Sequence, residues 1–411
     1  MKATFERSSL LNALVTASKI SQTKNNGAVV DGILMECPPD KRFGAYNNEN
    51  ENLCRISAFD LEKGVRLTFE CDITEKGSCV LNTKRILDIV SKLPDGEILF
   101  ETDQNNKMVV KGGNSVFELA VTSVEEFPAM PDFDGEDTIT LPQYVLKEML
   151  GETLVAVAKN SQREYFNGAL FKIRDGKFSI TGCDSTRVAV AEKIITGRED
   201  ITAIIPGSFL NDLYNIISDS EDDIRMIIND KDAIFNIGEM YFFTRKIEDQ
   251  YIEIEKFIPK TYTTQAFMSR KEFLDALERA ILVAADKLGV NGKPFLKLEF
   301  SGRSIRLSAV SSVGTIDERI SASVEGNDIT IGFNCKFLLD IIRTIPDRFE
   351  TIKIKLNKPL IGVVIEPAEG RQVIKTTPDS TVFAERVVEE NTDNDEDIGL
   401  LYFVMPVKMN Q

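Results

Sequence analysis

The sequence contains no histidine and no tryptophan. Histidine is the commonest general base near neutral pH, and it is a partner in most nucleophile pairs and zinc sites. The chain also lacks a G-x-x-x-x-G-K-[ST] phosphate-binding loop and a G-x-G-x-x-G dinucleotide fingerprint. These absences argue against nucleotide-dependent and histidine-dependent enzymes. An enzyme that uses carboxylates and Mg²⁺ stays open, because the chain has 65 acidic residues.

Long apolar runs and paired cysteines are missing as well. No run approaches the length of a membrane span, and the first residues are polar where a signal peptide needs its apolar core. None of the cysteines forms a C-x-x-C pair, so we expect buried, reduced thiols in a cytoplasmic protein, with no metal site and no cofactor. The cysteines are Cys37, Cys54, Cys71, Cys79, Cys183 and Cys335.

The net charge of the chain is −16. A total of this sign argues against nucleic-acid binding, because phosphate contacts need lysine and arginine. The total does not describe the distribution of charge, however, and one face of an acidic protein can be basic.

Two sequence patterns each occur three times at near-equal spacing along the chain. The first pattern is a short apolar strand, a small polar break and an amphipathic helix. The second pattern is a different segment that also contains an amphipathic helix. Three copies of one domain, each with two strand–helix halves, are therefore predicted. The first pattern lies at residues 78–90, 202–217 and 329–342, and the second lies at 5–17, 139–155 and 267–284.

Each copy is predicted to contain two β-α-β-β-β units, because alternating strand runs bounded by turn residues follow each helix. Two helices on one side of antiparallel sheet give an α+β class. Pro-containing segments at 125–131 and 251–259 are predicted to be extended linkers. The predicted domains are 1–133, 134–262 and 263–411. Two insertions break the symmetry: a polar loop at 38–52 and an acidic stretch at about 368–400.

Motifs in all three copies resemble the bacterial DNA polymerase III β sliding clamp, and the similarity covers the chain apart from the insertions. No single motif is decisive, but their order and spacing are specific. They are Phe5-Glu6-Arg7, Phe59-Asp60-Leu61-Glu62, Glu126-Phe127-Pro128, residues 166–171 (FNGALF), residues 183–190 (CDSTRVAV), residues 331–334 (IGFN) and residues 402–408 (YFVMPVK).

The resemblance implies a non-catalytic processivity subunit. Two copies would close head to tail into a ring, encircle double-stranded DNA without sequence preference, and tether the replicative polymerase and other replication and repair proteins. A separate loader would open the ring, in agreement with the missing phosphate-binding loop. Two alternatives remain open at this point. One is a clamp-like docking platform that does not encircle DNA, and the other is the carboxylate enzyme mentioned above.

The resemblance also implies a pocket for the short linear motifs of the polymerase and the clamp loader. Exposed apolar groups suit an anchor pocket, and methionine adapts to varied ligands. Ordinary core is the alternative for Val188 and Phe337. The family often has Gly-His where this chain has Ser185-Thr186. The implied lining is Phe166, Thr186, Arg187, Val188, Phe257, Asn334, Phe337, Leu360, Val404, Met405, Pro406 and Val407.

Two further surfaces are implied. Basic residues on or near the helices, with a few loop positions, would face DNA, although ordinary solvated helix faces are the alternative and acids on the same helices dilute the field. Phe117 and Leu119 would meet Ile281 and Leu282 of a second copy, with intradomain core as the alternative. The candidates for DNA contact are Lys24, Lys84, Arg85, Lys147, Asn160, Tyr165, Arg270, Arg279, Lys336 and Arg343.

Overall fold

A computed structural model of the chain describes residues 1–20, 32–39, 52–103, 107–128, 130, 139–195, 200–284, 295–368, 372–373, 387–388 and 399–409. Candidate Lys24 and most of the two predicted insertions lie outside these residues.

The element order repeats six times as strand, helix and three strands, which confirms the predicted β-α-β-β-β units. The first copy contains β1 (Lys2–Glu6), α1 (Arg7–Ile20), β2 (Gly32–Cys37), β3 (Leu53–Phe59), β4 (Lys63–Glu70), β5 (Asp72–Glu75), β6 (Gly77–Asn82), α2 (Thr83–Lys92), β7 (Glu97–Thr102), β8 (Lys107–Gly112) and β9 (Ser115–Ala120). The second contains β10 (Ile139–Pro142), α3 (Gln143–Thr153), β11 (Gly168–Arg174), β12 (Lys177–Cys183), β13 (Arg187–Ile194), β14 (Ile201–Pro206), α4 (Gly207–Tyr214), β15 (Asp223–Ile228), β16 (Asp232–Ile237) and β17 (Met240–Arg245). The third contains β18 (Thr264–Ser269), α5 (Arg270–Ala284), β19 (Leu296–Ser301), β20 (Ser304–Ser311), β21 (Gly314–Gly326), β22 (Ile329–Phe333), α6 (Cys335–Thr344), β23 (Thr351–Leu356), β24 (Val363–Pro367), β25 (Gln372–Val373), β26 (Val387–Val388) and β27 (Leu400–Val404).

The chain forms two compact units, and each is built on antiparallel sheet. The first comprises residues 1–144 and 211–246, and it holds a five-stranded sheet (β5-β1-β7-β8-β9) and an eight-stranded sheet (β10-β15-β16-β17-β4-β3-β2-β6). The second comprises residues 145–210 and 247–411, and it holds a twelve-stranded sheet (β14-β11-β12-β13-β27-β24-β23-β18-β21-β20-β19-β22). Strand pairs β17–β4 and β13–β27 join neighbouring copies, so the middle copy contributes strands to both units.

The helices bury one face each, as their apolar spacing predicts. Leu10 and Leu14 of α1 are buried, and so are Ile86 and Val90 of α2 and Leu338 of α6. Asn82 caps α2 by accepting a hydrogen bond from the backbone N–H of Arg85. The apolar side of each helix therefore belongs to the core, and polar positions remain for other contacts.

The two segments expected to be extended linkers are more compact than predicted. A 3₁₀ turn covers Val124–Glu126 in the first, and another covers Ile254–Lys256 in the second. Phe127 is buried beside Phe59 and Phe243, whereas Tyr251 and Ile254 are buried beside Phe403. Burial of these apolar side chains holds both segments against the sheets, an effect that proline spacing alone does not reveal.

All six cysteines are free and buried. No helix among the described residues is long and apolar enough to cross a membrane.

Candidate partner-binding site

The C-terminal strand brings the last predicted pocket residues beside the middle copy. In the register of β13 and β27, Arg187 lies opposite Val404. The backbone N–H of Met405 then donates to the carbonyl oxygen of Thr186 at 2.8 Å. Strand β27 pairs on its other side with β24, where Val363 lies opposite Val404. Three strands therefore meet where Met405 leaves the sheet.

A tight turn built on Asp184 sets the direction of the neighbouring side chains. One carboxylate oxygen of Asp184 accepts hydrogen bonds from the backbone N–H of Thr186 at 3.0 Å, from its hydroxyl at 2.6 Å and from the backbone N–H of Arg187 at 3.1 Å. Ser185 has a φ of 74°, in the left-handed region that favours glycine. Serine therefore occupies a backbone conformation that glycine adopts without steric cost.

The side chain of Arg187 is held from three sides. Its Nε donates to Asp184 at 2.9 Å, and its Nη1 donates to Asp340 of α6 at 3.4 Å. The guanidinium carbon also lies 4.6 Å from the centroid of the Phe337 ring. Charge-assisted bonds and a cation–π contact fix the planar guanidinium. Asp184 and Asp340 were not among the predicted site residues. Asp184 lies in the CDSTRVAV motif, and that motif was the available signal for it.

Asn334 and the chain end complete the surroundings of α6. The Asn334 side chain caps the helix by accepting from the backbone N–H groups of Lys336 and Phe337, at 3.0 and 3.4 Å. The N–H of Val407 donates to the carbonyl of Gly332 at 2.8 Å, so the segment after β27 runs beside β22. Pro406 and Val407 are half-buried there.

The predicted lining divides into a buried base and an exposed rim. Phe166 and Val188 are buried in one cluster with Phe403, and Val404 is fully buried, so the core alternative applies to these side chains. Thr186, Arg187, Asn334, Phe337, Pro406 and Val407 are half-buried. Phe257, Leu360 and Met405 are 62, 62 and 41% exposed.

Short local bonds place the two exposed rim residues that precede the C-terminal segment. The N–H of Phe257 donates to the carbonyl of Ile254 at 2.8 Å, and the Ile254 side chain belongs to the buried cluster under the site. Leu360 precedes β24 in a turn in which the N–H of Ile361 donates to the carbonyl of Lys358 at 3.0 Å. Both side chains are therefore presented to solvent from firmly anchored backbone.

The basic candidates differ in how available their charges are. Lys84 and Arg85 of α2 and Lys336 of α6 are exposed, and no ion pair joins them to another described residue. Arg279 pairs with Glu318, and Arg343 pairs with Glu278 at 2.9 Å, both at exposed positions. Exposed pairs of this kind exchange readily with solvent and ligand.

The structure corrects the prediction for Arg270. This side chain is buried at the start of α5, where it pairs with Asp347 and donates to the carbonyl of Ile342 at 3.4 Å. Its charge satisfies groups of its own domain and is not presented to a ligand. The period of the helix could not show this, because Ile342 and Asp347 lie in α6 and just after it, far along the chain from α5.

The three remaining candidates near the second copy occupy varied settings. Asn160 is exposed, and Lys147 is half-buried on α3. Tyr165 is half-buried, with its ring centroid 4.4 Å from that of Phe166 and 5.9 Å from that of Tyr251. The Tyr165 ring therefore packs against two aromatic side chains. The Tyr165 hydroxyl accepts a hydrogen bond from the Arg163 side chain at 3.4 Å.

None of the four candidates for subunit contact is buried. Phe117 and Leu119 are half-buried on β9, the last strand of the five-stranded sheet. Ile281 is half-buried on α5, and its neighbour Leu282 is 77% exposed. The intradomain-core alternative therefore fits these side chains poorly.

Comparison with known proteins gives the family directly. Residues 1–131, 140–253 and 255–379 match the N-terminal, central and C-terminal domain models of the DNA polymerase III beta subunit. A beta sliding clamp of Staphylococcus aureus is 30% identical over 71% of this chain and 77% of its own length. The chain belongs to the beta sliding clamp family. A relative of the same name from Staphylococcus epidermidis is 28% identical over 91% of this chain and 97% of its own length.

Solved structures show the same fold. The DNA polymerase sliding clamp of Bacillus subtilis aligns over the whole of both chains with a TM-score of 0.85 and 21% identity. A beta subunit from Eubacterium rectale gives the same TM-score with 24% identity. Family membership confirms the prediction of three tandem clamp domains and of a non-catalytic sliding clamp. It does not favour the docking platform that leaves DNA unenclosed. No group of side chains that could hold a metal ion occurs in the described part of the chain.

Proposed function

We propose that two copies of this chain close into a ring around double-stranded DNA, in the cytoplasm, and hold the replicative polymerase and its loader through short linear motifs bound at Phe257, Leu360 and Met405. The observation that carries this proposal is the exposure of these three apolar side chains in the same compact unit as the rigid, charged Arg187. Solvent-exposed apolar groups beside a fixed guanidinium suit a short peptide with apolar anchors and a polar or acidic flank.

Subunit contact is supported by two open sheet edges. Among the described residues, strand β9 pairs only with β8, so the backbone groups on its other side have no partner strand there. On one side, residues 314–321 of β21 pair with β20. On the other side, β18 pairs only with residues 322–326 of β21, so the first half of this strand has no partner strand there among the described residues. Pairing β9 of one copy with this half of β21 in a second copy would bring Phe117 and Leu119 toward Ile281 and Leu282. Such a heterologous contact closes when two copies complete a ring.

The DNA contact is proposed to be weak and distributed. Lys84, Arg85 and Lys336 offer exposed charge at the starts of α2 and α6, and Arg279 and Arg343 lie in exchangeable pairs. A sliding protein needs phosphate contacts without base readout, and it needs them to break easily. The net charge of −16 keeps the remaining surface repulsive to DNA and favours topological retention over tight binding.

The partner-binding proposal is tested with Met405→Ala combined with Pro406→Ala. We expect the affinity for a peptide copied from the tail of the replicative polymerase to fall by at least about 30-fold, because apolar anchors dominate such sites. The thermal transition should stay close to that of the unaltered protein.

Leu61→Ala is the matched control, since Leu61 is also an exposed apolar residue but lies in the other unit. Fluorescence anisotropy measures both variants. An unchanged affinity in the double variant, or an equal loss in the control, would remove the basis of the assigned site.

A further inference from the structure

Three of the six cysteines meet in the first copy. Cys37 ends β2, Cys54 lies in β3, and Cys71 lies between β4 of the eight-stranded sheet and β5 of the five-stranded sheet. The register that pairs Glu36 with Arg55 puts Cys37 opposite Cys54 at the next position. The register of β3 and β4 continues to a hydrogen bond of 3.1 Å from the N–H of Cys71 to the carbonyl of Asn52. The sheet itself therefore gathers the three residues.

Opposite residues of paired strands project to the same face and side chains alternate along a strand, so Cys37, Cys54 and Cys71 lie on one face of this sheet. Cys37 and Cys54 are completely buried, whereas Cys71 keeps 8% of its surface exposed. Hydrogen bonds from the thiols of Cys37 and Cys54 lower the pKa of Cys71, and burial raises the pKa of Cys54. The residue nearest to solvent is thus the one whose thiol loses its proton most readily, and the thiolate is the form that reacts.

Cys79 offers a contrast within the same sheet. It lies on β6 opposite Met35, and burial raises its pKa to about 12. Among the described residues, no group of side chains that could hold a metal ion is found. A thiol cluster with a reactive member and two buried members is instead suited to disulfide chemistry.

We propose that Cys37, Cys54 and Cys71 form a peroxide-responsive site in which Cys71 reacts first and a Cys37–Cys54 disulfide is the product. Facing residues of antiparallel strands have Cα atoms about 4.5–5.5 Å apart, within the range that a disulfide spans. The bond would close the stretch between β2 and β3.

The chemistry balances in three steps. The Cys71 thiolate attacks hydrogen peroxide, so that an S–O bond forms, the O–O bond breaks, and the hydroxide that leaves takes a proton to become water. The Cys54 sulfur then attacks the sulfenic acid, its thiol proton leaves with the S–OH oxygen as water, and a Cys54–Cys71 disulfide forms. The Cys37 thiolate attacks Cys54 and releases the Cys71 thiolate, which recovers the proton that Cys37 gave up. Two thiols are oxidised, and one peroxide is reduced to two waters.

The test uses the full-length reduced protein, dilute hydrogen peroxide, quenching with N-ethylmaleimide and peptide mapping by mass spectrometry. We expect a loss of two hydrogen atoms, a linked Cys37–Cys54 peptide pair, and recovery of all thiols with dithiothreitol. Cys71→Ser should slow disulfide formation by about tenfold or more. Cys37→Ser should stop the reaction at Cys54–Cys71, and Cys79→Ser should behave like the unaltered protein.

A second measurement avoids any folding defect in the variants. Dimedone added to the unaltered protein during oxidation should label Cys71 before the disulfide appears. The proposal is overturned if all six thiols remain alkylatable after peroxide, if Cys71→Ser oxidises at the unaltered rate, or if dimedone labels Cys79, Cys183 or Cys335 first. None of these outcomes bears on the clamp function, which does not depend on the thiols.

Discussion

The backbone N–H of Met405 donates a hydrogen bond to the carbonyl oxygen of Thr186 at 2.8 Å. This bond joins the end of the chain to the turn that orients Arg187. Because the same turn contains Ser185 at a φ of 74°, the geometry of the site depends on a residue in a conformation that side chains rarely adopt.

Replacing Ser185 with glycine should stabilise the protein. Glycine adopts a positive φ without steric cost, so the free energy of unfolding is expected to rise by about 1 kcal/mol, and the thermal transition should rise accordingly. Affinity for the polymerase-tail peptide should not change, since the backbone bond to Met405 remains. Ser185→Ala keeps the Cβ and serves as the control. A rise of equal size in both variants would show that the serine hydroxyl, rather than the backbone, causes the effect.

Sequence patterns predicted most of the fold. The periodicity of Leu10, Leu14, Ile86 and Val90 reports burial directly, because a helix with one apolar face must cover it. The strand segments could also be predicted, because alternation of apolar and polar residues and the turn residues between strands are local signals in the sequence. The linkers were misjudged because the burial of Phe127 depends on side chains from distant strands.

For the candidate site, the sequence motifs indicated several residues but not their burial or their ion-pair partners. Family motifs pointed to Thr186 and Arg187, which lie beside the end of β27, but no local signal separates buried Val188 from exposed Leu360. The environment of Arg187 and the burial of Arg270 depend on Asp340 and Asp347, which approach from other parts of the chain. Charge on a predicted helix face therefore overestimates the charge available to DNA.

A buried carboxylate on α3 should make stability depend on pH. Burial, with a smaller effect of the nearby Glu148 charge, raises the pKa of Glu152 to about 8. The unfolded chain has an ordinary glutamate pKa near 4.3. Between these values the folded protein binds more protons than the unfolded chain, so the Glu152 contribution to stability falls as pH rises from about 4.3 to 8 and is constant above that.

Glu152→Gln should therefore be more stable than the unaltered protein at pH 8.5 and similar to it at pH 4. A difference of one in pKa corresponds to about 1.4 kcal/mol, so the gap at high pH is expected to be on the order of a few kcal/mol. Thermal unfolding of both proteins across this range measures it.

Glu148→Gln is the control with the opposite sign. Although burial opposes it, hydrogen bonds from Arg348 and attraction to Lys193 lower the pKa of Glu148. Arg348 donates to Glu148 at 2.6 and 2.8 Å, and Lys193 donates at 3.0 Å, so losing the carboxylate leaves two cations without it. If the difference in unfolding free energy between Glu152→Gln and the unaltered protein does not change with pH, the raised pKa assigned to Glu152 is contradicted.

The proposed subunit contact predicts a change in oligomeric state. Ile281→Ala combined with Leu282→Ala should convert dimers to monomers at micromolar concentration, because both side chains lie outside the buried core and would be covered by the partner's β9. Light scattering measures the mass. Val15→Ala with Leu61→Ala removes exposed apolar groups that lie outside the proposed contact and tests whether loss of surface apolarity alone has the same effect. A dimer that survives the first double change would refute the contact.

Retention on DNA of two topologies tests the central claim of an enclosing ring most directly. The clamp is loaded by its loader and ATP onto a nicked circular plasmid, the loader is removed, and the bound fraction is measured by gel filtration before and after one restriction cut. We predict that the clamp stays on the circle and is lost from the linear molecule, because weak phosphate contacts cannot hold it once the ends are free. Equal retention on circular and linear DNA, or no retention on either, would contradict the account.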